Sequence, residues 1–279
     1  AKSFIPLAIQ FHKKQLIEAK DEIDELTDLL TKNGTDKILA IKKTLNLTDK
    51  VDRLQKSKPF AVIEKSLFMY IFSSYDCFIG ELLADIYRKK PELFNSINAS
   101  VPVNEILKYN SFDEFKETVL MNDIEAFRRN SYIEQFKDLE NRFNIELRKF
   151  DRWPYFIEAG QRRNIMTHCG GLVSEQYIKV CTKEGYVFNP PLKVGDMLGG
   201  GAKYFGNSCD LMMEVGLKLG QTLWRKIFPE EIEEADKHMT SVIYENLCMG
   251  KWKRAEIYGE YACSQKKVSS DLRRRMDVI

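Results

Sequence analysis

The sequence is poor in the residues that build metal centres and disulfide frameworks. It has only three histidines and six cysteines in 279 residues, and no two cysteines form a C-x-x-C pair. This count excludes a disulfide scaffold, and the histidines and cysteines show no metal-ligand spacing. We therefore expect reduced thiols, no metal and no cofactor.

An excess of charge of one sign is also lacking. The chain has 43 Lys and Arg against 41 Asp and Glu, a net charge of +2. This balance gives no general attraction to nucleic acid, so any polyanion must be bound by a local patch of basic residues.

Long uncharged apolar runs are absent as well. The most apolar stretch, 61–86, contains five charged residues, which argues against a membrane span and predicts no membrane partner. The first residues lack the apolar core and cleavage site of a signal peptide. Together with the reduced thiols, these features predict a cytoplasmic protein.

Helical periodicity dominates what is present. Apolar residues recur at three- and four-residue steps, and no segment shows sustained strand alternation, so the pattern predicts an all-α fold. A glycine- and proline-rich loop is expected at 184–201, with short strands around 186–188. Predicted helices cover 9–32, 36–55, 59–90, 104–109, 112–129, 132–143, 153–169, 202–228, 230–249 and 251–264. We group them as an N-terminal helical extension (1–58), a helical bundle (59–228) and a C-terminal helical hairpin with a basic tail (229–279).

One short motif carries recognisable chemistry. Residues 161–171 read QRRNIMTHCGG, so four residues separate Arg163 from His168, and Asn164 directly follows the arginine. The motif lies on a predicted helix, after the long apolar helix that begins at Pro59. This arrangement resembles the R-x(4–6)-H signature of HEPN-domain proteins, which are small helical bundles.

The resemblance covers roughly 59–228. The segments at 170–173 and 223–229 look like the bacterial defence-associated branch of that group. The resemblance implies a HEPN-like bundle and a metal-independent endoribonuclease that acts on RNA as a homodimer with a composite active site. It also implies a role in antiphage defence or a toxin system, together with a regulatory or defence-system protein partner. The implied products carry a 2′,3′-cyclic phosphate and a 5′-OH.

The residue types suit this chemistry. The planar guanidinium of Arg163 can bind and polarise the scissile phosphate, and His168 can move protons near neutral pH. Asn164 lies one turn before His168 and can orient either group. In an ideal helix Arg163 and His168 point about 140° apart. The length of the arginine side chain could close that gap, or a second motif could complete the site across a twofold axis.

Asp76 is the remaining catalytic candidate, because it lies within the apolar helix and a buried carboxylate needs a partner. It pairs with Arg163 or Arg162 and so fixes the catalytic arginine, or it is a structural residue bonded to a core tyrosine or a backbone group. Arg162 is a candidate RNA-binding residue, although Glu158 one turn earlier also predicts an ordinary ion pair.

The basic tail gives two further candidates for RNA binding, Lys266 and Lys267. A short basic tail of this kind is also consistent with simple solvation.

A second function remains open from the sequence. The same motif is compatible with a catalytically inactive helical adaptor, or with a nucleotide-binding dimerisation module. In that case the C-terminal hairpin recruits the partner.

Overall fold

The computed structural model describes residues 4–32, 37–56, 59–97 and 100–265, and the predicted RNA-binding residues Lys266 and Lys267 lie outside them. Within these ranges the chain is helical and contains no strand, so the predicted all-α fold is confirmed. The helices are α1 Phe4–Lys32, α2 Lys37–Lys56, α3 Pro59–Lys89, α4 Val103–Ile106, α5 Phe112–Arg129, α6 Tyr132–Phe143, α7 Trp153–His168, α8 Glu175–Lys183, α9 Ala202–Ile227, α10 Ile232–Cys248 and α11 Trp252–Cys263.

The predicted strands around 186–188 are wrong, and the helix α8 was not predicted. The β pairing in the described part of the chain is one isolated antiparallel bridge between Leu172 and Met197. Helix α8 has nine residues, and the Ser174 hydroxyl caps its N-terminus by accepting a bond from the Tyr177 backbone. A helix of about two turns shows too few apolar repeats for the sequence pattern to reveal it.

The chain divides into two compact units. Unit 1 comprises the described parts of 1–70 and 199–206, and unit 2 those of 71–198 and 207–279. In unit 1, α1 and α2 pack against each other. The predicted domain boundaries after residues 58 and 228 are not tested by this division and stay predictions.

Unit 2 has an aromatic core where α3, α6 and α7 meet. The fully buried Phe156 ring of α7 lies 5.1 Å from Tyr132, 5.4 Å from Phe136 and 5.6 Å from Tyr75, measured between ring centroids. Tilted and edge-on pairs of this kind are favourable and have defined geometry. This core therefore fixes the three helices that carry the polar residues described below.

Helix α7 ends abruptly after the motif. Gly170 and Gly171 have φ values of +63° and +93°, a region in which glycine carries no steric penalty. A side chain at Gly171 would place its Cβ only 2.7 Å from the carbonyl oxygen of Leu198. His168 is consequently the last helical residue, one residue before the predicted end.

Helix α3 contains an apolar segment, Val62–Lys89, that is long enough to cross a membrane by length and composition alone. It is the one such segment among the described residues, and buried helices of globular proteins meet the same criterion. The absence of a membrane partner stays a prediction.

Candidate functional site

The motif helix forms one wall of a polar cavity inside unit 2. The cavity has a volume of about 220 Å³ and lies between α3, the junction of α5 with α6, and α7. We call it the Arg163 cavity. The residues that line it include Asp76, Arg128, Arg129, Tyr132, Arg163 and Asn164. Two predicted catalytic residues of the motif thus share a cavity with the predicted carboxylate of α3.

Arg163 is a half-buried arginine without a carboxylate partner. Its Nη1 donates to Asn164 Oδ1 at 3.1 Å, and its buried Nε makes no hydrogen bond within the described part of the chain. Every other half-buried arginine side chain described forms an ion pair; these are Arg142, Arg148, Arg152, Arg162, Arg225 and Arg254. Because a partly buried cation is costly when unpaired, Arg163 is a natural place for an anionic ligand.

Asp76 has a tyrosine as its hydrogen-bond partner. Its Oδ1 accepts a bond of 2.9 Å from the Tyr132 hydroxyl. Burial raises the pKa of Asp76, against the opposing effects of this bond and of the positive charges on Arg163 and Arg128. The carboxylate therefore interacts electrostatically with Arg163, while its direct bond is the one to a core tyrosine that the sequence left as an alternative.

Tyr132 links Asp76 to the motif helix. Burial, followed by the Asp76 charge, raises the pKa of Tyr132 well above its usual value, so the hydroxyl remains a proton donor. The ring packs so closely on α7 that a Cβ at Gly160 would lie 2.7 Å from Tyr132 Cδ2. Tyr132 was not predicted as a site residue. The sequence signal for such a close approach is Gly160, a glycine in the middle of a helix.

Arg128 and Arg129 bring two further cations to this cavity, and neither was predicted as a site residue. Basic residues in the last turn of a helix are ordinary partners of its dipole, so their position in α5 gave no signal. Arg129 forms an i,i+4 ion pair with Glu125, at 2.5 Å.

His168 lies apart from this group. It is exposed at the end of α7 and is not one of the residues that line the Arg163 cavity. The structure thus brings Arg163, Asn164 and Asp76 together in one chain and leaves the histidine outside them.

Arg162 forms the ion pair with Glu158 that the i,i+4 spacing predicts, with Nε and Oε1 2.8 Å apart. Glu158 is only 2% exposed and also accepts a bond from the Tyr177 hydroxyl. Arg162 does not line the cavity, and its charge is compensated by a buried carboxylate. Its predicted contact with RNA therefore has less physical support than the role of Arg163.

Among the described residues, no group of three or more His, Cys, Asp and Glu side chains is arranged to hold a metal ion. Comparisons of the chain with models of known families, with curated proteins and with solved structures give no match. The residues of the motif and their cavity therefore have to support any functional assignment on their own.

Proposed function

We propose that this protein is a metal-independent endoribonuclease of the HEPN type, which acts as a homodimer in bacterial antiphage defence or in a toxin system. The observation that carries the proposal is the half-buried Arg163, which has no carboxylate partner and lies with Asn164 in a polar cavity. The motif resemblance supplies the reaction class and the biological role.

The reaction needs proton transfer and charge stabilisation rather than a metal. The 2′-oxygen attacks the adjacent phosphorus as its proton passes to a base. The bond from phosphorus to the 5′-oxygen then breaks, and the departing oxygen takes a proton. The products are a 2′,3′-cyclic phosphate and a 5′-OH, and Arg163 stabilises the charge that builds up on the phosphorane.

His168 serves as the acid and base. Because it lies outside the cavity of its own chain, we assign it to the shared cleft of a homodimer, where two copies of the motif face one RNA strand. Two histidines in such a cleft can divide the tasks of accepting and donating the proton.

Asn164, Asp76 and Tyr132 position the arginine. Asn164 accepts a bond from the guanidinium, while the Asp76 carboxylate attracts it and is itself held by the tyrosine hydroxyl. A guanidinium restrained in this way loses less conformational entropy when it binds a phosphate.

The test is cleavage of labelled RNA by the purified protein in EDTA. We expect the wild type to produce 2′,3′-cyclic phosphate ends and His168→Ala to produce none. His238→Ala is the matched control, because His238 is also exposed on a helix but hydrogen-bonds to Gln221 far along the chain from the motif. Equal RNA cleavage by the wild type and His168→Ala would contradict the proposed nuclease function.

The adaptor remains the second candidate, and the C-terminal hairpin favours it. Tyr244, Met249 and Trp252 of α10, α11 and their turn are 66%, 66% and 67% exposed. Exposed aromatic residues of this size are typical of protein contact surfaces. The adaptor is the better description if RNA is not cleaved and binding of a partner protein is lost in Trp252→Ser but retained in His168→Ala.

A further inference from the structure

Arg128 is the second arginine of the Arg163 cavity without a carboxylate partner. Its side chain lies along α3, with Cδ 3.3 Å from the position of a Cβ at Gly80 and Nη2 4.0 Å from Cys77 Sγ. Its positive charge acts on Asp76, as that of Arg163 does. The two arginines therefore share one cavity with the Asp76 carboxylate without forming an ion pair with it.

This pattern distinguishes the cavity from the rest of the described chain. Both exposed arginines other than Arg128 are ion-paired, Arg88 with Glu117 and Arg129 with Glu125. The half-buried arginines other than Arg163 are paired as well, as described above. Among the arginine side chains that the structure describes, the two without a carboxylate within ion-pair distance thus line the same cavity.

The helix terminus in the cavity wall does not supply an alternative anion site. At the N-terminus of α6, Ser131 and Glu134 form a reciprocal capping box that occupies their own backbone N–H groups. The Glu134 carboxylate also places a negative charge there. Donors for an anion in this cavity come chiefly from the two arginines.

We propose that Arg128 binds the same phosphate group of an RNA strand as Arg163. This inference rests on the proposed nuclease function, since it names a second phosphate-binding residue of that site. A phosphodiester carries one negative charge, and the phosphorane formed on attack carries two. A second guanidinium fork therefore contributes to binding and contributes more as the transition state is reached.

The experiment measures binding without cleavage. A fluorescent 2′-O-methyl RNA oligonucleotide lacks the attacking hydroxyl, and its affinity is followed by anisotropy over a series of salt concentrations. We expect Arg128→Ala to weaken binding by about 10- to 100-fold. The slope of log affinity against log salt should also fall by about 0.7, the value for one phosphate contact on a single strand.

Arg88→Ala is the matched control, because Arg88 is also an exposed arginine but lies outside the Arg163 cavity and pairs with Glu117. Since Arg88 does not line the cavity, the control should leave the affinity and the salt slope close to those of the wild type. Arg128→Lys should recover part of the affinity, since it keeps the charge but loses the planar fork.

Equal losses of affinity in Arg128→Ala and Arg88→Ala would overturn the proposal, as would no loss in either variant or no binding by the wild type. The unfolding temperature of each variant shows whether the fold is kept. If the oligonucleotide binds through Arg128 but ordinary RNA is not cut, the nuclease proposal fails and the phosphate site stands.

Discussion

Two cavities of unit 2 contain similar residue types but differ in how their charges are balanced. The Arg163 cavity combines arginines with one carboxylate, Asp76. A second cavity of about 300 Å³, which we call the Arg254 cavity, is lined by Arg152, Asp210, Glu214, Lys253, Arg254 and Tyr258 among others. By composition alone, either one is a plausible site for an anion.

The Arg254 cavity neutralises its own cations. Arg152 pairs with Glu214 at 2.8 Å, Arg254 pairs with Asp210 at 2.5 Å, and Lys253 pairs with Glu256 at 2.8 Å. The Glu214 side chain is 3% exposed and also binds Lys218, so this network ties α9 to the turn that precedes α7. A negatively charged ligand would have to displace protein carboxylates.

The contrast shows that ligand binding is better predicted by whether an arginine is paired with a carboxylate than by how many arginines line a cavity. A paired arginine contributes to the fold, whereas an unpaired one beside a cavity is available to a ligand. Substitutions in the two cavities should therefore differ in their effects on cleavage and on stability.

The largest difference in cleavage rate is expected between variants of Arg163 and Arg254, the arginines after which the cavities are named. Arg163→Ala should lower the rate of RNA cleavage by about 10²- to 10³-fold, because it removes a charged donor from the developing phosphorane. Arg254→Ala should leave the rate per folded molecule unchanged. Similar losses in the two variants, measured with the same RNA, would remove the functional distinction between the cavities.

The Arg254 cavity should instead affect stability. Glu214→Ala leaves Arg152 and Lys218 without their common carboxylate, so we expect the free energy of unfolding to fall by about 3 kcal/mol. Glu125→Ala, which breaks the exposed pair with Arg129, should cost about 0–1 kcal/mol. Urea unfolding measures both, and equal costs would contradict the structural role of Glu214.

Gly160 tests the contact between Tyr132 and the motif helix. Gly160→Ala should cost about 1–2 kcal/mol, because overpacking against the ring outweighs the gain in helix propensity. It should also slow cleavage by disturbing the bond from Tyr132 to Asp76.

The control for Gly160 is Gly259→Ala in α11, where an added Cβ has no atom within 4 Å. This variant should be more stable than the wild type by about 0.5–1 kcal/mol. Thermal unfolding compares the two substitutions, and a stabilising Gly160→Ala would show that the contact is looser than described.

The smallest effect is a pH dependence at Asp76. Burial raises the pKa of Asp76 in the folded protein. The neutral carboxyl therefore makes its full contribution to stability at pH values below its pKa in the unfolded chain, which is about 4. That contribution is lost as the pH rises through the folded pKa. Asp76→Asn should therefore raise the unfolding temperature by a few degrees at most at pH 7, with the difference disappearing below about pH 4.

The same variant should cleave RNA more slowly, because the neutral amide no longer attracts Arg163. If Asp76→Asn instead lowers the unfolding temperature at pH 7 and not at pH 4, the arginines stabilise the carboxylate more than burial opposes it.

Much of the fold could be read from local patterns. The predicted helices 112–129 and 132–143 agree with α5 and α6, since apolar spacing and serine caps are encoded within each segment. Helix α8 was missed because it is short. The false expectation of strands came from the irregular segment 186–188, where two half-buried aromatic residues flank the exposed Val187. The apolar helix α3 is also less uniformly buried than its composition suggested, since Tyr70 is 69% exposed.

The site could be predicted only in part. Arg163 and Asn164 were found because they belong to one helical motif, and Asp76 because a carboxylate is unusual in an apolar helix. Tyr132 of α6 and Arg128 of α5 were missed, because nothing local marks a tyrosine or a helix-end arginine as part of a distant cavity.

The helical fold, the limits of most helices and the short polar motif follow from the amino-acid order alone, because they depend on residues within a few turns of each other. Which arginine forms an ion pair with a carboxylate, and which does not, depends on how the helices pack together. Ion pairing and burial depend on side chains far apart in the chain, and no local pattern records those distances.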